Sequence, residues 1–109
     1  MLVRPPISDV TKLDVLGKRK DGGVDMGIVA ESEVDDSAET LTLIDEKVRN
    51  YLREAHDSAF QADCEVAGVE GITIVFDSSF RVHPKARALL ESLAEEVAAK
   101  GMRLLVVAP

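Results

Sequence analysis

The order and spacing of apolar residues predict an α+β fold: a two-layer sandwich in which a four-stranded mixed β-sheet (ββαβαβ) has two helices packed on one face. Two segments with apolar residues every three or four positions, typical of amphipathic helices, alternate with short β-branched runs. The turn signal Asp21-Gly22-Gly23 between the first two runs predicts a hairpin. Strand order 1-2-3-4, with strand 1 antiparallel to the others, is the simplest arrangement with right-handed crossovers, and other orders remain open.

The hairpin is predicted to join strands at residues 12–18 and 24–30. Glycine in the turn can adopt a positive φ without steric cost. In the second strand, Val24, Met26 and Ile28 point to one side and the intervening residues point to the other. Because the large apolar side chains are concentrated on one side, we expect that side of the hairpin to be more buried than the other.

Residues 36–59 are predicted to form a long amphipathic helix. Asp36 is placed to be the N-cap, and Glu39 three residues later suits a capping box. Ion pairs such as Asp45 with Arg49 contribute only about 0.2–0.5 kcal/mol, so burial of the apolar face must supply most of the stability. That face consists of Leu41, Ile44, Val48, Tyr51, Leu52 and Ala55.

The second half of the chain repeats the alternation of strand and helix. A loop at residues 60–71 leads to a β-branched strand at residues 72–76. His83-Pro84 begins the second helix, because proline suits the first helical position. Gly101 is placed as the left-handed residue that ends this helix, and residues 102–107 form the fourth strand.

Length and composition indicate one acidic domain at residues 12–109, preceded by an extended arm at residues 1–11 that contains two prolines. The net charge of −7 disfavours nucleic acid and anionic membranes as partners, because binding them requires a basic surface. No apolar run is long enough to span a membrane. A single cysteine excludes an internal disulfide and fits a reducing compartment, so we expect a cytoplasmic protein.

The hairpin segments 13–17 (LDVLG) and 22–26 (GGVDM), followed by the helical segment 47–52 (KVRNYL), resemble a family of small bacterial domains of unknown function. The strand, helix, glycine and closing strand of the second half are similar too, so the likeness covers roughly residues 12–108. The resemblance implies a small bacterial cytosolic protein with no assigned activity. It implies no catalytic residue, because the shared features are structural patterns.

His56, Cys64 and His83 are the side chains that could bind a metal or take part in nucleophilic chemistry. Their spacing matches no zinc pattern, and three ligands are too few for a closed tetrahedral site. Capping before Pro84 explains His83 better, and a position near a helix C-terminus explains His56 better. Ser78 and Ser79 lack the Gly-x-Ser-x-Gly turn of serine hydrolases. We therefore predict no catalytic residue, no metal site and no cofactor.

The last two strands are apolar on both sides, whereas two helices can cover only one face of a four-stranded sheet. An exposed apolar face usually marks an interface, so we predict a homodimer joined through the sheets. The alternative is that the arm at residues 1–11 covers this face. The residues assigned to it are Leu16, Val29, Val75, Leu105 and Val107.

A helix over residues 36–59 would be about 35 Å long, against about 20 Å for a six-residue strand. Its end should project beyond the sheet and add Phe60 to the interaction surface, unless the following loop folds back. These surfaces predict a non-enzymatic protein–protein interaction module that associates with itself first and with another protein second. The alternative is a small-molecule binder or enzyme with its site on the open sheet face or under the loop at residues 60–71.

Overall fold

The structure, a computed structural model, describes residues 5–109. The sheet order is β1-β2-β3-β4, with β1 antiparallel to β2 and the other neighbours parallel, which confirms the predicted α+β fold and strand order. A 3-10 turn at Val69–Gly71 precedes the third strand. The elements in chain order are β1 (Val15–Lys18), β2 (Val24–Val29), α1 (Ala38–Ala55), α2 (Ser58–Asp63), β3 (Ile72–Asp77), α3 (Pro84–Ala99) and β4 (Arg103–Val107).

The helices cover one face of the sheet, and the core lies between them and that face. The helix-facing side chains of the two central strands are at most 2% exposed: Val24, Met26, Ile28, Ile72, Ile74 and Phe76. Side chains alternate between faces along a strand, so the intervening residues lie on the other side. This side, called the open face here, carries Val15, Gly17, Asp25, Gly27, Val29, Thr73, Val75, Asp77, Arg103, Leu105 and Val107.

The N-terminus of α1 differs from the prediction by one residue. Ser37, not Asp36, is the N-cap, and its hydroxyl accepts a hydrogen bond from the Thr40 N–H at 3.1 Å. The Asp35 carboxylate in turn accepts a hydrogen bond from the Ser37 N–H at 3.3 Å. Asp and Ser are about equally good N-caps, so their neighbouring positions in the sequence did not distinguish the two.

The predicted helix at residues 36–59 is wrong at its C-terminal end, because α1 ends at Ala55 and a separate helix follows. Asp57 causes the break. Its carboxylate accepts a hydrogen bond from the Ala59 N–H at 2.7 Å and so caps α2. A side chain that bonds its own local backbone in this way competes with continuation of the preceding helix.

Because the chain bends at this break, Phe60 folds back into the core and is only 7% exposed. The Gln61 side-chain amide donates a hydrogen bond to the Ala55 carbonyl at 2.9 Å, which satisfies a group that the end of α1 leaves free. The projecting end expected from the sequence is therefore absent from α1, and Phe60 is a core residue.

The start and end of α3 confirm the prediction. His83 is the N-cap, and its Nδ1 accepts a hydrogen bond from the Lys85 N–H at 3.0 Å. Gly101 follows the helix with φ of +83°, a left-handed conformation that glycine adopts without strain.

The described part of the arm packs against α1, on the helix side of the sheet. Ile7 is 1% exposed within the core. The Asn50 side-chain amide donates to the Val10 carbonyl at 2.8 Å, and the Glu31 N–H donates to the Pro6 carbonyl at 2.8 Å. The first four residues of the predicted arm lie outside the described residues.

A buried ion pair fastens the arm to the domain. The Lys47 side chain is fully buried, with its Nζ 2.6 Å from Asp14 Oδ1 and 3.2 Å from the Ser8 hydroxyl. The other carboxylate oxygen of Asp14 accepts a hydrogen bond from the Val29 N–H at 2.9 Å. One carboxylate thus joins the arm, α1 and β2.

We expect Asp14→Asn to lower the free energy of unfolding by about 3–5 kcal/mol, because it leaves Lys47 buried without a counter-charge. Lys47→Met should lower the free energy of unfolding by less, because the Asp14 carboxylate left without its counter-charge is 15% exposed to water. The double variant should cost less than the sum of the single changes, as measured by urea denaturation. Strictly additive losses would contradict the coupling. The matched control is the surface pair Asp45 with Arg49, for which the corresponding changes should cost about 0.5 kcal/mol or less.

Candidate interaction surface

The middle of the open face is a row of four residues, one from each strand. In the strand register Val15 pairs with Gly27, Gly27 with Val75, and Val75 with Leu105. A Cβ atom at Gly27 would lie 3.2 Å from the Cβ of Val15, closer than most side chains tolerate. Glycine therefore leaves Val15 its space beside β2, and the row carries no polar side chain.

A second row lies at the carboxyl ends of the parallel strands, where Asp77 is paired with Val29 on one side and Val107 on the other. Exposure is 51% for Val15, 37% for Val29, 43% for Leu105 and 53% for Val107, and Val75 is half-buried. Apolar side chains this exposed on one face form a contiguous patch of the kind that marks interfaces. We call these five residues the apolar patch.

The third row, at the amino ends of the parallel strands, is polar. The Arg19 guanidinium lies over it and donates hydrogen bonds to the Asp25 carboxylate, to the Thr73 hydroxyl at 3.3 Å and to the Gly71 carbonyl at 3.1 Å. The hydrogen bond to Asp25 raises the pKa of Arg19 above its ordinary value. Arg19 and Asp25 therefore neutralise each other at this end of the face.

Two further charges on the open face have no such compensation. Arg103 lies beside Thr73 in the amino-end row and is exposed. Asp77 lies in the carboxyl-end row and is also exposed. Neither side chain has an ion-pair or hydrogen-bond partner among residues 5–109. Arg103 thus lies beyond the amino end of the apolar patch, and Asp77 lies within its carboxyl-end row, between Val29 and Val107.

The structure brings together four of the six residues assigned to an interaction surface from the sequence: Val29, Val75, Leu105 and Val107. Leu16 was placed on the wrong face, because it pairs with the core residue Met26 and points to the helix side. Phe60 was also assigned wrongly, since it is buried beneath the chain that folds back after α1.

Sequence reasoning missed Val15, although a signal was present. The turn closes by a hydrogen bond from the Arg19 N–H to the Gly23 carbonyl at 2.7 Å. Counting outward from this pair places Leu16 opposite Met26 and Val15 opposite Gly27, as the register shows. Pairing from the turn, rather than alternation within each strand alone, would have assigned the correct faces.

The side chains that could bind a metal or act as nucleophiles have separate structural roles. His56 is the C-cap of α1, with its Nδ1 2.8 Å from the Leu52 carbonyl oxygen. Cys64 is buried, and burial together with the charge of Asp63 raises the pKa of its thiol. Within residues 5–109, no three His, Cys, Asp or Glu side chains are grouped so as to hold a metal ion. None of the described helices is long and apolar enough to cross a membrane.

Among the described residues, several cavities lie away from the open face. One, of about 190 Å³, lies beneath the predicted 60–71 loop between β1 and the end of α2, and another, of about 430 Å³, lies between the end of α1 and Lys100. A third, of about 470 Å³, lies between the arm and the C-terminal half of α1. Its lining is largely polar and includes Thr11, Lys12, Asn50, Tyr51, Arg53 and Glu54.

Tyr51 forms the inner wall of this larger cavity and belongs to the network around Asp14. Its hydroxyl accepts a hydrogen bond from the Asp14 N–H at 2.8 Å and donates one to the Gly27 carbonyl at 2.9 Å. Burial, with a smaller contribution from the Asp14 charge, raises the pKa of Tyr51 to about 12. The hydroxyl is therefore held neutral and links the backbone just before β1 to β2.

Comparison with family models, with curated proteins and with solved structures found no match.

We expect Tyr51 to ionise near pH 12 in the folded protein, compared with its ordinary pKa of 10. Because the folded pKa is the higher one, the corresponding stability is fully present below pH 10 and is lost as the pH rises to 12. Ultraviolet absorbance measures this directly, since the chain has one tyrosine and no tryptophan, with Tyr51→Phe as the blank. Ionisation near pH 10, while circular dichroism still shows the fold, would contradict the network described.

Proposed function

We propose that this protein is a non-enzymatic protein–protein interaction module that associates with itself through the open face of its sheet. The observation that carries the proposal is the apolar patch, which all three helices and the described part of the arm leave in water. Transfer of such side chains from water into an interface is favourable by roughly 25 cal/mol for each Å² of apolar area. The patch therefore supplies a driving force for association.

The size of the face sets the expected strength of association. Four strands of about five residues cover roughly 14 Å by 17 Å at the usual spacing and rise. This footprint is smaller than the roughly 800 Å² that each partner buries in a standard interface. We therefore expect a dimer that forms reversibly at micromolar concentrations rather than an obligate one.

A second copy of the chain is the partner that the face fits first. Symmetric pairs are the commonest assemblies, because one self-complementary surface serves both subunits. Two such faces can stack at about 10 Å with their apolar side chains interdigitated, as in β-sandwiches. Another protein with an apolar sheet face would use the same surface.

A second candidate function is binding of a small polar molecule, and the cavity between the arm and α1 favours it. Its volume of about 470 Å³ lies within the range of ligand sites, whereas the cavity beneath residues 60–71, at about 190 Å³, is below that range. Both cations and anions line the larger cavity, including Lys12, Arg53 and Glu54. Native mass spectrometry of protein purified without denaturation tests this: a retained small molecule, lost in Arg53→Ala, supports the site, and the bare chain mass contradicts it.

We expect Leu105→Gln to weaken self-association by about tenfold, because it removes a large side chain from the apolar patch. Sedimentation equilibrium over a range of protein concentrations measures the change. A monomeric wild-type chain at every micromolar concentration tested would contradict the proposal.

Leu16→Gln provides the matched control for this experiment. Leu16 is 49% exposed and Leu105 is 43% exposed, and each lies on an edge strand. The two side chains point to opposite faces of the sheet. The same chemical change at Leu16 should therefore leave the dimerisation constant unaltered. Equal weakening by both variants would show that association does not use the open face.

A further inference from the structure

The charges of Arg103 and Asp77 bear on the orientation of the two copies, an inference that rests on the self-association proposed above. Arg103 and Asp77 lie at opposite ends of the open face, separated along the strand direction by the middle apolar row. A two-fold axis between the stacked sheets can run either across the strands or along them. The first choice makes the strands of the two copies antiparallel, and the second makes them parallel.

With the axis across the strands, each strand stacks on its own copy and the ends are exchanged. The amino-end row of one chain then faces the carboxyl-end row of the other. Asp77 comes to face Thr73 of the partner, and Arg103 of the partner lies one strand away, at about 4.8 Å sideways. A long arginine side chain spans this offset, so two symmetric ion pairs can form.

With the axis along the strands, β4 stacks on β1 of the partner and β3 stacks on β2. Arg103 would then face the partner's Gly17, and Asp77 would face the partner's Val29. Arg103 would lie one strand from the partner's Asp25, which is already paired with its own Arg19. Asp77 of one copy would lie one strand from Asp77 of the other. Two like charges this close, without a counter-charge of their own, are unfavourable at an interface. This difference in charge pairing favours the antiparallel orientation.

We propose that two copies of this chain pack face to face with their strands antiparallel, and that Arg103 of each pairs with the partner's Asp77. The two residues lie at opposite ends of the open face, and opposite charges across an interface select the orientation of docking more than they add affinity. The Arg19–Asp25 ion pair is already formed within each chain. The orientation of the two copies therefore depends on Arg103 and Asp77.

Charge reversal tests the pairing. Arg103→Asp places two like-charged contacts in its own antiparallel dimer, and so does Asp77→Arg. Each single variant should therefore dimerise about tenfold more weakly than the wild-type chain. An equimolar mixture of the two variants restores both opposite-charge pairs in a heterodimer, and the double variant Arg103→Asp/Asp77→Arg restores them in a homodimer. Both should return to wild-type strength.

Controls separate pairing from net charge and from folding. Lys85→Asp and Glu91→Arg make the corresponding changes in net charge at exposed positions of α3, on the helix side, and should leave dimerisation unchanged. Thermal unfolding followed by circular dichroism verifies that each variant is folded. Sedimentation equilibrium, with one chain of each mixture labelled, measures the homodimers and the heterodimer.

The outcomes are distinguishable from failure of the proposed function. Weak single variants with restored strength in the mixture and in the double variant support the antiparallel pairing. A wild-type dimer that depends on Leu105 but ignores both reversals, or a mixture that stays weak, overturns the pairing and leaves the interaction surface intact. A wild-type chain that remains monomeric overturns both.

Discussion

The carboxylate of Asp14 is the contact on which the arrangement of the chain depends. It meets the fully buried ammonium group of Lys47 and the backbone N–H of Val29, while the backbone N–H of Asp14 itself donates to the Tyr51 hydroxyl. A buried cation is costly unless a counter-charge and hydrogen bonds compensate it. Arm, helix and sheet therefore have to meet at this point, and the arm is held on the helix side.

This location of the arm has a consequence for the rest of the surface. Within residues 5–109, the three helices and the arm all lie on one side of the sheet. They can cover apolar side chains on that side only. The other side keeps its valines and Leu105 in water. The same contact that completes the core thus leaves the open face uncovered by residues 5–109, and this exposure is the basis of the proposed association.

The sequence predicted the fold well because the fold depends on periodicity, which is local. Alternation in β2, β3 and β4, the Asp21-Gly22 turn and the Gly101 terminus all act within a few residues, and these predictions were correct. The errors arose where two local signals compete or where contacts are distant. Asp57 caps a new helix within an apolar pattern that reads as continuous. Lys47 is buried by a residue 33 positions away, which no helical periodicity encodes.

The candidate surface was predictable in part for the same reason. Val75, Leu105 and Val107 belong to central or parallel strands whose faces follow from alternation with buried neighbours. Leu16 and Val15 belong to an edge strand that is exposed on both sides, so burial gives no guide there. Only the register fixes their faces, and a shift of one residue exchanges them.

Stacking of two open faces explains the exposed apolar patch better than edge-to-edge pairing of strands does. β1 and β4 both present unpaired backbone groups at the sides of the sheet, and two β4 edges could join into one continuous sheet. Such a dimer would satisfy backbone hydrogen bonds but would leave the apolar patches of both copies in water, side by side. Stacking of the open faces removes the patches from water and leaves the edges as they are. Because burial of apolar area is the larger driving force, the proposed association uses the apolar patch, and the charges on the same face set its orientation.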